Sequence, residues 1–168
     1  MEIHGALLLY ALAGLMITFA GFSALLLGIR QAAGAHLSLL DRDLAKTELT
    51  HLYVLAGGAL LPPLLALYDL SEAWVWRGSA LLFGVPLLVL LLTYPRRRRT
   101  AVGTGPPPAV FAVFVVLGSA VLAAMLVYVC AGLRFSVAVY ISALVINFFT
   151  LAYAFVTALD VVMQQPAE

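Results

Sequence analysis

Five long apolar stretches dominate this 168-residue sequence. A helix rises 1.5 Å per residue, so about 20 apolar residues cross the roughly 30 Å hydrocarbon core of a bilayer. The sequence therefore predicts an all-α fold, a bundle of five transmembrane helices that forms one domain over residues 1–168. The predicted spans cover residues 5–29, 51–68, 75–94, 109–132 and 136–159.

The composition excludes a water-soluble domain. Hydrophobic residues make up 64% of the chain and charged residues 10%, and a soluble domain of this length could not bury that much apolar surface. Nine Lys and Arg residues nearly balance eight Asp and Glu residues. Because there is no overall basic field, we expect no nucleic-acid partner. The expected partner is the lipid bilayer.

The positions of the cationic residues predict an orientation. Short connections that are rich in Lys and Arg stay in the cytoplasm. Two residues, Arg77 and Arg134, fall in the connections on one side of the predicted bundle. The connections on the other side carry Arg30, Arg42, Lys46, Arg96, Arg97, Arg98 and Arg99. Five spans then place the N-terminus outside and the C-terminus inside.

The run of four arginines, from Arg96 to Arg99, has two interpretations. The residues fix the orientation of the chain, or they also bind anionic lipid headgroups, at about 1 kcal/mol each near the surface. Aromatic residues flank the predicted spans, with Tyr94 beside the arginines and Tyr68, Trp74 and Trp76 on the opposite side. We expect these amphipathic rings to lie at the level of the headgroups.

The most polar stretch precedes the second span. Glu48 and His51 are three residues apart, as in the Glu-x-x-His half-motif of carboxylate-bridged metal sites. No second pair of this kind completes such a site, so we predict no bound metal. Ser38 and Asp41 form a capping-box signature instead. The favoured interpretation is a capped interfacial helix that leads into the second span.

The sequence lacks the short motifs of membrane enzymes. There is no Cys-x-x-Cys, His-Glu-x-x-His, Gly-x-Ser-x-Gly or glycine-rich phosphate loop. The single cysteine, Cys130, excludes an intramolecular disulfide. We therefore predict a non-enzymatic protein with no catalytic residue and no cofactor.

Glycine and proline interrupt two of the predicted spans. Gly57 and Gly58 precede Pro62 and Pro63 in the second span, and Pro86 lies in the third. A proline inside a helix removes one backbone hydrogen bond and frees a carbonyl. We expect kinked or broken helices whose freed carbonyls are satisfied by neighbouring helices.

Small residues in the first span recur at heptad spacing. Small residues on one face allow a neighbouring helix to approach closely. This pattern predicts a packing face made of Gly14, Thr18, Gly21 and Gly28.

A polar and small-residue stripe runs along the fifth span, with Asn147 at its centre. The stripe consists of Ser136, Tyr140, Ala143, Asn147, Thr150, Ala154 and Thr157, at steps of four and three. Polar side chains in hydrocarbon are costly unless they are satisfied. The stripe therefore packs against other helices, or it lines a water-filled pathway that ends near Asp160. We predict Tyr140, Asn147, Thr150 and Thr157 as its functional members.

Several stretches of the first hundred residues resemble a group of small bacterial multi-pass membrane proteins to which no activity is assigned. They are TFAGFSAL at 18–25, LLPPLLAL at 60–67, WRGS at 76–79 and YPRRRR at 94–99. The resemblance implies the bacterial inner (plasma) membrane. It implies no functional residue.

Two hypotheses for the function follow. The first is a non-enzymatic integral membrane protein that acts through helix packing, as a homo-oligomer or as a subunit of a larger membrane complex. The second is a small oligomeric channel or transporter lined by the polar stripe of the fifth helix. The absence of a charged residue at hydrocarbon depth favours the first.

Overall fold

The computed structural model describes residues 5–32, 38–131 and 137–163, and every regular element within these ranges is helical. A π-helical segment (Phe111–Leu117) joins α4 to α5. The α-helices are α1 (Ala6–Ala32), α2 (Leu39–Ala66), α3 (Glu72–Val102), α4 (Pro108–Val110), α5 (Gly118–Cys130) and α6 (Val137–Met163). The connection between the last two predicted spans, residues 133–135, lies outside the described residues.

Five helices are long and apolar enough to cross a membrane. Four of them are α1, α2, α3 and α6, and the fifth is the continuous run Pro108–Cys130, which contains α4, the π-helical segment and α5. The predicted number of spans is confirmed. This fold indicates a multi-pass protein embedded in a membrane.

The second helix begins at Leu39, twelve residues before the predicted start of its span at His51. Ser38 caps it, because its hydroxyl accepts a hydrogen bond from the backbone N–H of Asp41 at 3.1 Å. The Asp41 carboxylate accepts in turn from the backbone N–H of Ser38 at 3.0 Å. This reciprocal capping box confirms the predicted cap. The helix is continuous with the span, however, and is not a separate interfacial segment.

The third helix continues past its predicted end at Tyr94 and carries all four arginines. Pro95 lies inside the helix and costs it only the one hydrogen bond that its missing N–H would make. The helix ends at Gly103, whose φ of 78° suits glycine and whose N–H bonds to the Arg99 carbonyl. Cations in the last turns also interact favourably with the helix dipole. The arginines therefore lie on a helix and not in a loop.

Four of the spans form a closed ring of contacts. In the described part of the chain, α2 packs against α3 and α6, and α5 packs against the other sides of both. The first helix lies outside this ring, mainly against α2 and with a smaller contact to α6. Only 22% of the residues in its span are buried, against 39–44% in the other four. The first helix is therefore the peripheral element of the bundle.

The small-residue stripe of α1 faces outward, so the predicted packing face meets no other helix among the described residues. The buried face of α1 holds Leu9, Ala13, Met16, Ala20 and Ser23. At 100° per residue the two faces lie about 135° apart around the helix. A β-carbon placed at Gly14, Gly21 or Gly28 would meet nothing within 4 Å. We call the exposed residues Gly14, Thr18, Gly21 and Gly28 the glycine face.

Candidate functional site: a buried polar cluster

Glu48 is buried in the bundle and not in a cytoplasmic loop. It lies within the membrane-spanning part of α2 and is 5% exposed. Its carboxyl oxygen lies 2.5 Å from the hydroxyl of Ser23 on α1. Ser23 precedes the end of the first apolar span, Ile29, by six residues, or about 9 Å of helix. The second candidate span therefore begins before its predicted start at His51 and contains Glu48.

The Ser23 hydroxyl makes two contacts, but it has only one proton to donate. Its oxygen lies 3.0 Å from the Phe19 carbonyl, one turn earlier on α1, and it also contacts Glu48. When Ser23 donates to Phe19, it can only accept from Glu48. When Glu48 carries a proton, both contacts are full hydrogen bonds, whereas with an ionised Glu48 they share the one proton of Ser23.

Arg98 turns into the protein, unlike its neighbours. It is 7% exposed, whereas Arg96 and Arg99 are exposed and Arg97 is half-buried. Its guanidinium donates to the Tyr94 hydroxyl at 3.1 Å, and its Nε is buried without a hydrogen-bond partner. Tyr94 is itself buried. Both side chains therefore lie inside the bundle and do not face outward.

A cavity of about 60 Å³ lies between Glu48 and Arg98. It is at the arginine-rich end of the bundle, where α3 carries its four arginines. Its walls come from α2, α3, the fourth span and α6. The lining residues are Leu44, Thr47, Glu48, Tyr94, Arg98, Pro107, Val110, Phe114, Leu151, Ala154, Phe155 and Thr157.

Two further polar residues of α2 are buried near this cavity. Thr47 lines it, and its hydroxyl has no hydrogen-bond partner. His51 packs its ring 4.9 Å from that of Phe114 on the π-helical segment, and its Nε2 is also unpartnered. Within the described ranges, no three His, Cys, Asp or Glu side chains are close enough together to hold a metal ion.

Tyr140, at the start of the polar stripe of α6, reaches across to the second helix. Its hydroxyl donates to the Gly58 carbonyl at 2.6 Å. That carbonyl would normally accept from the residue four positions later, but this residue is Pro62, which has no N–H. The helix is not broken there. Tyr140 instead satisfies the carbonyl that the proline frees, as the sequence analysis expected of a neighbouring helix.

The middle of the polar stripe packs against the fourth span at Gly118. A β-carbon at position 118 would lie 3.0 Å from the side-chain oxygen Oδ1 of Asn147 and 3.6 Å from the Thr150 hydroxyl. Both side chains are buried. The Asn147 amide donates to the Ala143 carbonyl of its own helix at 2.9 Å. Asn147 therefore sits in a close helix contact, and its amide bonds within α6.

Only the C-terminal end of the polar stripe meets the cavity. Ala154 and Thr157 line it, whereas Tyr140, Asn147 and Thr150 do not. The side chain of Asp160, where a water-filled pathway was expected to end, lies outside the described residues, as does Ser136. Most of the described stripe is a packing surface.

The aromatic residues at the other end of the bundle divide into two groups. Tyr68 and Trp74 are exposed, as the sequence analysis expected. Trp76 is 1% exposed, and its ring packs 5.6 Å from that of Tyr140. Trp76 therefore lies inside the bundle and is not part of the exposed aromatic group.

The sequence analysis missed the cluster of Ser23, Glu48 and Arg98. One signal was present: Glu48 precedes Leu52, Leu55 and Ala59 at steps of four, three and four. All of these are buried, so extending the apolar stripe of α2 backwards places Glu48 in the core. No local pattern marks Ser23 as its partner, since the two residues are 25 positions apart.

Comparison of the chain with protein-family models, with curated proteins and with solved structures finds no significant match. The function must therefore be argued from the geometry of this chain.

Proposed function

We propose that this protein is a non-enzymatic integral membrane protein that self-associates, and that α1 forms the contact through its glycine face. The observation that carries the proposal is the exposure of Gly14, Gly21 and Gly28, where an added β-carbon would meet nothing within 4 Å. Small residues at this spacing are what close helix contacts in membranes require.

Several features of the glycine face fit a second copy of this chain. The Thr18 hydroxyl is satisfied within α1, since it donates to the Gly14 carbonyl at 2.8 Å. The face carries no charged residue that would demand a partner of opposite charge. A two-fold symmetric contact needs only one self-complementary surface. From Gly14 to Gly28 the face extends for about 21 Å.

The packing of the polar stripe supports this function over the channel or transporter. Tyr140, Asn147 and Thr150 contact protein and do not line the cavity. The cavity itself is confined to the arginine-rich end of the bundle. A pathway along α6 would need open space beside Asn147, where Gly118 instead allows close approach.

Subunit counting by photobleaching in lipid vesicles tests the proposal. We expect labelled wild-type protein to show paired bleaching steps at densities where Gly21→Leu shows single steps. The leucine inserts bulk between the two copies, and overpacking of about 1 to 3 kcal/mol weakens association by roughly 5- to 150-fold. Folding should be unaffected, because no described atom lies within 4 Å of a β-carbon at position 21.

Gly57→Leu is the matched control. Gly57 is also an exposed helical glycine with nothing within 4 Å of an added β-carbon, but it lies on α2. This variant should dimerise like the wild type. A wild-type protein that remains monomeric at every density, or equal losses in both variants, would contradict the proposal.

We further propose that the bilayer is the bacterial inner membrane, with the arginine-rich end in the cytoplasm. The resemblance of the first hundred residues supports the setting. The orientation is supported by the four consecutive arginines of α3 and by Arg42 and Lys46 near the start of α2, since cationic residues stay on the cytoplasmic side. The N-terminus is then outside.

A further inference from the structure

A buried guanidinium without an anionic partner points to a binding site. The Arg98 side chain is only 7% exposed. In the described part of the chain, its one hydrogen bond goes to the neutral Tyr94 hydroxyl. No carboxylate of the described residues makes an ion pair with it. Buried charges are normally paired. Among the described residues Arg98 has no anionic partner, so its guanidinium is available to a ligand.

We propose that the cavity binds a phosphate-type oxyanion, with Arg98 as its principal ligand. A guanidinium presents its N–H groups in a planar fork that matches phosphate geometry. The buried Nε of Arg98 has no hydrogen-bond partner among the described residues and can donate to a ligand. This site goes beyond the self-association of α1 and does not depend on it.

Two hydroxyl groups complete the set of donors. Tyr94 lines the cavity and accepts a hydrogen bond from Arg98, so its own proton remains available to a ligand. Thr47 lines the opposite wall, and its buried hydroxyl has no partner. An oxyanion between these walls would receive hydrogen bonds from both helices.

The space and the local charge fit this ligand. A water molecule needs about 10–15 Å³ of such a cavity, so a volume of about 60 Å³ accommodates a tetrahedral oxyanion. Arg96, Arg97 and Arg99 lie within two residues of Arg98 along α3 and add positive potential. Oxyanions are therefore drawn to this end of the bundle.

The carboxyl group of Glu48 on the same cavity does not exclude an anion. Its contact with Ser23 and the contact of Ser23 with Phe19 are both full hydrogen bonds when Glu48 is protonated, and the proposed anion binds in that state. A neutral carboxyl does not repel the ligand. The nearest charged group on the described cavity wall is then the guanidinium of Arg98.

Two sources can supply the oxyanion, the phosphate of an anionic lipid headgroup or free inorganic phosphate. The experiment uses purified protein in non-ionic detergent at physiological salt, where screening suppresses loose surface contacts. Native mass spectrometry counts bound phosphatidylglycerol, with zwitterionic phosphatidylcholine as the matched lipid. Titration calorimetry measures inorganic phosphate separately.

We expect one equivalent of phosphatidylglycerol or of phosphate to bind the wild type. Arg98→Gln should weaken that binding by at least about tenfold, since a charge-assisted hydrogen bond and the charge itself are lost. Arg99→Gln removes an exposed arginine one residue away and should change it by less than about threefold. Binding of the lipid alone identifies the headgroup as the source, and binding of free phosphate identifies a soluble anion.

Two results would overturn the site. They are the absence of a one-to-one complex with either probe and equal losses in the two arginine variants. If Arg98→Gln does not fold, Thr47→Val serves in its place. It should weaken binding several-fold through the lost hydroxyl donor, and unchanged affinity in that variant would also contradict the proposal.

Discussion

The hydroxyl of Tyr140 links the fifth span to the second. Pro62 leaves the Gly58 carbonyl free, and the Tyr140 hydroxyl donates to it. Tyr140→Phe removes this donor and should lower the free energy of unfolding by about 1 to 2 kcal/mol. Thermal unfolding in detergent measures this. Tyr153→Phe, at an exposed position of the same helix, is the control and should have little effect. Equal stability of the two variants would mean that water or lipid satisfies the carbonyl.

The protonation state of Glu48 is testable at the same scale. Glu48→Gln keeps a donor for the Ser23 hydroxyl, so we expect its unfolding free energy to remain within about 0.5 kcal/mol of the wild type. Glu48→Ala leaves a void and an unpaired hydroxyl, and should cost about 2 to 5 kcal/mol. Comparable losses in the two variants would show that the ionised carboxylate is the group that the fold needs.

At the level of whole helices, apolar length predicted the five spans but not their polar ends. Polar residues before His51 and after Tyr94 resembled connections, yet both stretches are helical. The capping box at Ser38 was readable because it is local. The burial of Arg98 could not be predicted from a local pattern, because it depends on how α3 faces α2 and α6. The outward direction of the glycine face likewise depends on which side of α1 meets α2.

The contact between α6 and the fourth span can be tested at Asn147. Asn147→Leu places branched bulk against Gly118, where the amide oxygen already lies close. We expect a loss of about 1 to 3 kcal/mol in unfolding free energy from overpacking. Ser142→Leu, at an exposed position of the same helix, should be nearly neutral. Equal tolerance of leucine at both positions would contradict the close contact at Gly118.

For the whole molecule, the proposed orientation makes opposite predictions for two connections. An alkaline-phosphatase fusion after Asp69, between α2 and α3, should be active, because that connection is placed outside. A fusion after Gly105, which follows the four arginines, should be inactive. Activity in the reverse pattern would show that the arginine-rich end faces outward and that the positive charges do not set the orientation.

A second copy of this chain that meets the glycine face of α1 is the central feature proposed for this molecule. Oxidative cross-linking in native membranes tests it directly, with Cys130→Ser removing the exposed native thiol. We predict that Gly21→Cys in this background forms a disulfide-linked dimer, because a two-fold contact brings the two copies of position 21 together. Gly57→Cys, equally exposed on α2, should remain monomeric. Cross-linking at position 57 but not at position 21 would contradict the account.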